Sequence, residues 1–465
     1  MAMIETIYRW LWGDLLKILL PGGNEVGISL LVLILVPVGI YFTVRTRFVL
    51  IRKFPQMLRI TMEKKADSQK GSISGLQALI VSTATRVGMG NLVGVVAAIS
   101  AGGAGAVFWM WILALLGSST AFAEATLAQT YKQKDPLYGG YRGGPAYYIH
   151  HFMTHRKWCK NSGRRYSLMS VLFAVSGLIC WCGISQVISN SVTSSMENAF
   201  QIPPIITTVL LVAVAAVIVL RKNATVRVLD IIVPIMAGCY LVITIFIIIK
   251  NAGALPDVFI RIFQEAFGLR QVAAGGFGAV LMNGVKRGLF SNEAGSGSAP
   301  CAAAAADVDH PAKAGLLQAF GVFIDTIVIC SCSAMIMLLV PEEKISGLVG
   351  MDLLQAAMQY HLGKFGVVFI AFTLLLFSFS TFIGVLFYAR SNVAYLFGDN
   401  WASQTIYKFI ALAMLFVGGL AAYTFVWDLG DVGIGLMTIF NMIALLPMSG
   451  QVIRTMKDYE RKQWK

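Results

Sequence analysis

Apolar residues in this chain come in blocks of about 18 to 28, the length that crosses a hydrocarbon core of roughly 30 Å as an α-helix. The blocks predict spans at about 26–44, 73–101, 106–130, 167–192, 204–220, 228–249, 273–291, 314–340, 364–389, 404–421 and 432–449. The stretch Met351 to His361 is amphipathic and too short to cross, so it is expected as a helix lying on the outer face over the mouth. Two blocks interrupt themselves. "TATRVGMGNLVG" (Thr83 to Gly94) puts Arg86, three glycines and Asn91 at the centre of the second, and "AAGGFGAVLMNGVKRG" (Ala273 to Gly288) opens the seventh. Glycine costs a helix interior roughly 1 kcal/mol against alanine. An arginine facing lipid at mid-depth costs at least about 2.5 kcal/mol.

Composition agrees with the pattern. The 465 residues are 57% hydrophobic and only 13% charged, where a soluble chain carries about 25%. This is the make-up of an all-α polytopic membrane protein. The opening residues, with Glu5, Trp10, Trp12 and Asp14, do not resemble a cleaved signal, which starts basic and then turns apolar.

The net charge of +14 could suggest nucleic acid, but its placement argues against that. Basic residues gather in 45–70, 131–166, 221–227 and the tail after Arg454, whereas the connectors 341–352 and 424–431 are acidic or nearly neutral. Such alternation is the positive-inside rule. It puts the N-terminus outside and the C-terminus in the cytoplasm of a bacterial inner-membrane protein. The histidines of "HHFMTH" (His150, His151, His155) fall in a basic loop and are expected to meet anionic lipid rather than metal. Seven cysteines lie mostly inside spans without metal-ligand spacing and imply no disulfide framework.

With the first span set aside, ten remain, dividing into two sets of five in opposite orientation. The units are 1–72 (an extra N-terminal helix and basic loop), 73–250 (first repeat), 270–450 (second repeat) and 451–465 (basic tail). Each repeat opens on a glycine-interrupted span. One such span is as well explained by close helix packing. Two at matching places in inverted halves point to a secondary transporter whose site lies at the breaks. Unwinding near Val87–Gly90 frees carbonyls for a hard cation and amides for a carboxylate. An amino-acid zwitterion travelling with Na⁺ would use both.

From about Gly75 to Met448 the chain resembles the alanine/glycine:cation symporter family, sodium:amino-acid symporters of the amino acid–polyamine–organocation superfamily. "RVGMGNLVGVVAAISAGGAGAVFWMW", "FAEATLAQTYK", "RGGPAYYI", "GVKRGLFSNEAGSGSAP", "DHPAKAGLLQAFGVFIDT" and "VWDLGDVGIGLMTIFNMIALLP" carry the resemblance. It implies a LeuT-type five-plus-five inverted repeat with one extra N-terminal helix, about eleven transmembrane helices, and core helices 1 and 6 broken. It also implies that the amides of Met89 and Gly90 hold the substrate carboxylate, and that the carbonyls of Ala84 and Val87 help bind Na⁺. The eighth core helix ("LLFSFSTFIG") would complete the cation site with the Phe377 carbonyl and the Ser380 and Thr381 hydroxyls. Residues 377, 380 and 381 share a helix face.

The expected substrate pocket comprises Thr85, Gly88, Met89, Gly90, Asn91, Gln186, Gly276, Phe277 and Val385. Three positions there depart from the family pattern. Met89 replaces a hydroxyl residue, Ile188 stands where the family has Gln (the glutamine here, Gln186, is two residues earlier), and Val385 replaces Trp. Together they imply a less polar, roomier pocket for a neutral amino acid, possibly larger than alanine.

Arg86 is expected to pair with Glu124, Asp230, Asp325 or freed carbonyls. Glu124 is expected as a structural partner near the cytoplasmic end, and Asp325 as the proton-relay candidate should coupling be to H⁺. Phe277 reads equally as gate or packing, and "GLFSNEAGSGSAP" (Gly288 to Pro300) as a cytoplasmic loop shaping the inner gate. The partners expected are a small neutral amino acid, Na⁺ and membrane lipid, with no nucleic acid, and the carrier would work as a monomer. An ion channel is the rival class. An enzyme is disfavoured, since the sequence displays no nucleophile–base pair or metal cluster.

Overall fold

The structure, a computed structural model, describes residues 2–19, 25–63, 73–85, 88, 90–154, 166–220, 225–269 and 276–463. Helices dominate. An amphipathic α1 (Ala2–Trp12) leads into a hairpin, β1 (Leu16–Leu19) and β2 (Glu25–Ile28), with Leu16 opposite Ile28 and Leu19 opposite Glu25. There follow α2 (Leu30–Arg45), the short α3 (Val49–Arg52) and α4 (Phe54–Thr61), α5 (Gly75–Thr85), α6 (Asn91–Gly102) and α7 (Gly105–Thr130). A second small hairpin, β3 (Gln133–Lys134) with β4 (Tyr141–Arg142), precedes α8 (Pro145–Thr154), α9 (Leu168–Phe200), α10 (Pro204–Val219), α11 (Thr225–Lys250) and α12 (Leu255–Ala266).

The remainder of the chain forms α13 (Phe277–Asn292), α14 (Ala299–Ala305), α15 (Pro311–Val322), a π-helical stretch Phe323–Cys330, and α16 (Ser331–Leu338). Then come α17 (Glu342–Ile345), α18 (Gly350–Leu362), α19 (Lys364–Phe397), α20 (Trp401–Leu420), α21 (Tyr423–Leu445) and α22 (Ser449–Gln463).

Among the described residues six helices are long and apolar enough to cross a membrane, or up to seven if the α11–α12 pair, bent by 74°, counts as one span. Shorter apolar helices are α2, α6 and α10. With this pattern the chain is an integral multi-pass membrane protein.

Several boundaries differ from those read off hydropathy. The first span starts at Leu30 because β2 takes up 25–28. The helices α9 and α19 run on to Phe200 and Phe397, through polar stretches such as "TSSMEN" and "RSN" where hydropathy no longer marks a span. The expected acidic connector 424–431 is instead the first two turns of α21, and its Asp431 is buried. An ion pair described below lets that carboxylate sit inside a helix bundle.

Small residues set how closely the helices approach. A Cβ on Gly183 of α9 would lie 2.3 Å from the Gly430 nitrogen of α21, and one on Gly433 2.4 Å from Cys180 Cα. In lipid, such close backbone packing replaces the hydrophobic drive that holds soluble helices together. Accordingly α9 packs along α19, α20 and α21, while α7 packs along α13, α15 and α2.

Candidate transport site

Between α5, which stops at Thr85, and α6, which starts at Asn91, the described residues Gly88 and Gly90 are π-helical, Gly90 at φ −59° and ψ −41°, so the chain widens its helix here where unwinding was expected. Arg86, Val87 and Met89 lie outside the described residues, as do the side chains of Ala84 and Thr85. Gly88 and Gly90 are both described and buried. Each is pressed against a different helix. A Cβ on Gly88 would stand 2.0 Å from Thr381 Oγ1 and 3.0 Å from the Phe377 carbonyl of α19. A Cβ on Gly90 would stand 3.0 Å from Ser291 Cα and 3.1 Å from the Phe290 carbonyl, at the end of α13.

Phe377, Ser380 and Thr381 are therefore buried, and the Phe377 carbonyl and Thr381 hydroxyl face the break. Ser380 Oγ donates to the Phe377 carbonyl at 2.8 Å. These oxygens are hard donors of the kind a sodium ion takes.

Asn91 acts as a clip. Its Nδ2 donates to the Asp325 carbonyl at 3.0 Å, and its Oδ1 accepts from Ser291 Oγ at 2.7 Å. Ser291 Oγ is also 2.9 Å from Cys330 Sγ and 3.4 Å from Thr326 Oγ1. The π-helical stretch that carries Asp325, Thr326 and Cys330 thus turns onto the break; such π-bulges are frequent at functional sites. The Asp325 side chain is wholly buried there.

The second interruption lies elsewhere than the glycine cluster suggested. Residues 270–275 are outside the described set. Gly276 precedes α13, is exposed and has nothing within 4 Å of a built Cβ. Phe277, in the first turn of α13, sits edge-on to Trp109, ring centroids 6.1 Å apart. At 1.5 Å per residue it is roughly 20 Å along the helix from Ser291. The structure does not bring Gly276 or Phe277 to the first break; Phe277 packs in an aromatic cluster.

The helix gives way instead between Asn292 and Ala299, in "EAGSGS", which is buried throughout rather than a cytoplasmic loop. Glu293 is left-handed (φ 55°), and Gly295 and Gly297 have φ of +95° and +85°. Side chains at the two glycines would strike Met442 at 2.5 Å and Pro145 at 2.6 Å.

Glu124 of α7 holds this turn. Its Oε2 accepts from the Gly295 amide at 3.0 Å, and its Oε1 accepts from Asn441 Nδ2. Asn441 Nδ2 also donates to the Gly295 carbonyl at 3.0 Å, while Tyr148 donates to Asn441 Oδ1. Glu124 is thus a structural partner, attached to the interior of the second broken span rather than to a helix end.

The remaining pocket candidates divide. Val385 and Ile188 are buried on α19 and α9. Gln186 turns to α20, where Nε2 donates to Met414 Sδ at 3.3 Å and Gly418 packs on its backbone. Its Oε1 is buried with no hydrogen-bond partner among the described residues. His150 Nδ1 accepts from the Ser167 amide at 3.2 Å, and His155 lies outside the described residues.

Sequence reading overlooked Glu293, Asn441 and the Lys286–Arg287–Asp431 group. "VKRG" inside an apolar block and a glutamate inside a Gly/Ser run were the available signals. Arg287 donates to both Asp431 carboxylate oxygens at 3.1 Å, under the Trp427 ring at 3.9 Å.

Comparison with known proteins places this geometry. The sequence pattern of the Sodium:alanine symporter family matches residues 16–465. The chain is 41% identical over 439 residues to the probable sodium/glutamine symporter GlnT of Bacillus subtilis, covering 94% of this chain and 88% of that one. It is 33% identical over 463 residues to the sodium/alanine symporter AgcS of Methanococcus maripaludis, covering 98% and 97%. Its fold overlays a crystal structure of the Eremococcus coleocola manganese transporter with a TM-score of 0.52 at 14% identity, covering 82% of this chain and 78% of that one. Two broken spans joined through Asn91 and Ser291, in a chain matched along nearly its whole length, make this protein a member of the sodium:alanine symporter family of transporters.

Proposed function

We propose that this protein moves a neutral amino acid inward together with Na⁺, by alternating access around the two interruptions. The observation that supports the reading is the seat of Gly88 on the Phe377 carbonyl and the Thr381 hydroxyl, which puts hard oxygen donors beside a π-helical turn. Na⁺ would be held by the carbonyls of Ala84, Val87 and Phe377 and the hydroxyls of Ser380 and Thr381. The substrate carboxylate would lie on the amides of Met89 and Gly90, its side chain toward Ile188 and Val385.

The layout that suits this is a LeuT-type repeat of eleven crossings: α2, α5 with α6, α7, α9, α10, α11, α13 with α14, α15 with α16, α19, α20 and α21. The N-terminus is then outside and the C-terminus inside the bacterial inner membrane, and one chain encloses one site. Higher identity to a relative named for glutamine than to one named for alanine supports a substrate larger than alanine.

Counterflow of labelled L-alanine and L-glutamine in proteoliposomes tests the proposal. Uptake driven by an inward Na⁺ gradient is expected. Uptake driven equally by a pH gradient without Na⁺ would shift the coupling to protons and to Asp325. Current without amino-acid counterflow would favour a channel.

A further inference from the structure

One and a half turns before the end of α13 the chain buries two neighbouring cations, Lys286 and Arg287, each 6% exposed. One buried acid, Asp431, is in direct contact with both. Asp431 is bound at both oxygens by Arg287, and its Oδ2 lies 2.6 Å from Lys286 Nζ. Asp428, one turn away on α21, is exposed. Its carboxylate still acts electrostatically on both Lys286 and Arg287. Lys286 also donates to Tyr8 of α1 and stands 4.5 Å above that ring.

Against Lys286 opens a cavity of about 380 Å³, lined also by Tyr8, Trp12, Asp14, Met282 and Asn283. Its volume falls within the ~300–1,000 Å³ of small-molecule pockets. The wall contributed by the N-terminal segment holds a carboxylate, Asp14. An inorganic anion would satisfy Lys286 and be repelled by Asp14; a zwitterion satisfies both.

We infer that this cavity is a second amino-acid site, in which Lys286 and Tyr8 take the α-carboxylate and Asp14 the α-ammonium. It rests on the proposed amino-acid transport. Lys286 lies about one helical turn from Phe290, whose carbonyl abuts Gly90, and the cavity runs from Lys286 back along α13 to Gly276. The N-terminal segment, which packs on α21 through Trp12 Nε1 donating to the Asp431 carbonyl at 3.0 Å, supplies Tyr8, Trp12 and Asp14.

The test is Na⁺-driven uptake in proteoliposomes of whichever of L-alanine and L-glutamine the unmodified protein takes up, comparing Lys286→Gln, Lys286→Arg and Asp14→Asn. Lys286→Gln and Asp14→Asn are expected to raise KM about tenfold with the maximal rate within twofold, and Lys286→Arg to hold KM within threefold. A KM within twofold of the unmodified protein for Asp14→Asn overturns the site, as does a Lys286→Gln variant that loses rate at constant KM. Asp14 is exposed, so its variant decides the matter even if Lys286→Gln does not fold. Failure of the unmodified protein to take up either amino acid would instead sink the transport reading.

Discussion

Gly88→Ala is the most informative single substitution. The new Cβ would stand 2.0 Å from Thr381 Oγ1, roughly 1.4 Å short of ordinary van der Waals contact, and 3.0 Å from the Phe377 carbonyl. Thr381 has only a second χ1 rotamer to turn to in a helix, and the Phe377 carbonyl, being backbone, cannot turn aside. Carbonyl and hydroxyl must therefore move apart from the break. Forcing an extra methyl into a packed interior costs about 1–3 kcal/mol. If that cost falls on the cation-bound state, the Na⁺ concentration for half-maximal uptake rises about 5- to 150-fold, at 1.4 kcal/mol per factor of ten. The assay is initial uptake in proteoliposomes against external Na⁺, with the thermal unfolding midpoint as a control for folding. Gly238→Ala serves as a matched control, since nothing lies within 4 Å of a Cβ there and the change favours the helix. A Gly88→Ala protein with wild-type Na⁺ dependence and wild-type stability would refute the placement of the cation between α5 and α19.

Changing Ser380 and Thr381 together to alanine should raise the half-saturating Na⁺ concentration at least tenfold with normal membrane insertion, read by the same titration. Gly90→Val would drive its side chain into the Ser291 backbone, 3.0 Å from a bare Cβ, and should abolish amino-acid binding in a thermal-shift titration while leaving the protein folded. Glu124→Ala strips acceptors from the Gly295 amide and Asn441; at about 1–3 kcal/mol for each buried group left unsatisfied, it should lower the unfolding midpoint and stop uptake. His361 of α18 is held neutral, its pKa pushed below the usual imidazole value chiefly by burial, with Nε2 bonded to the Ile336 carbonyl at 2.9 Å and Lys250 nearby. Because its folded pKa lies below the unfolded one, this contribution is intact at pH 8 and fades as pH falls below about 6.5. Unfolding midpoints at pH 8 and pH 5 should differ less in His361→Gln than in the unmodified protein.

Hydropathy reports whether a residue meets lipid or water, and that one-dimensional signal marked a multi-pass membrane protein, of whose described helices six or seven are long and apolar enough to cross, and flagged the irregular stretch at "VGMGN". Phe377, Ser380 and Thr381, the residues proposed for the cation, lie within about one helical turn, so their spacing already puts them on one face. What a glycine is for cannot be read in this way. Gly284 and Gly288 let α13 lie against α7, with Cβ atoms that would reach Trp109 at 2.5 Å and Leu113 at 3.0 Å, whereas Gly295 and Gly297 serve a left-handed turn. Packing glycines and breaking glycines look alike in sequence, so the "AAGGFG" cluster drew the second interruption some 20 Å from where α13 ends. Likewise Glu124, Gly295 and Asn441 are more than a hundred residues apart, as are Arg287 and Asp431. Buried polar groups in lipid must find partners wherever the fold presents them, and only the packing of α7, α13 and α21 decided which residues those were.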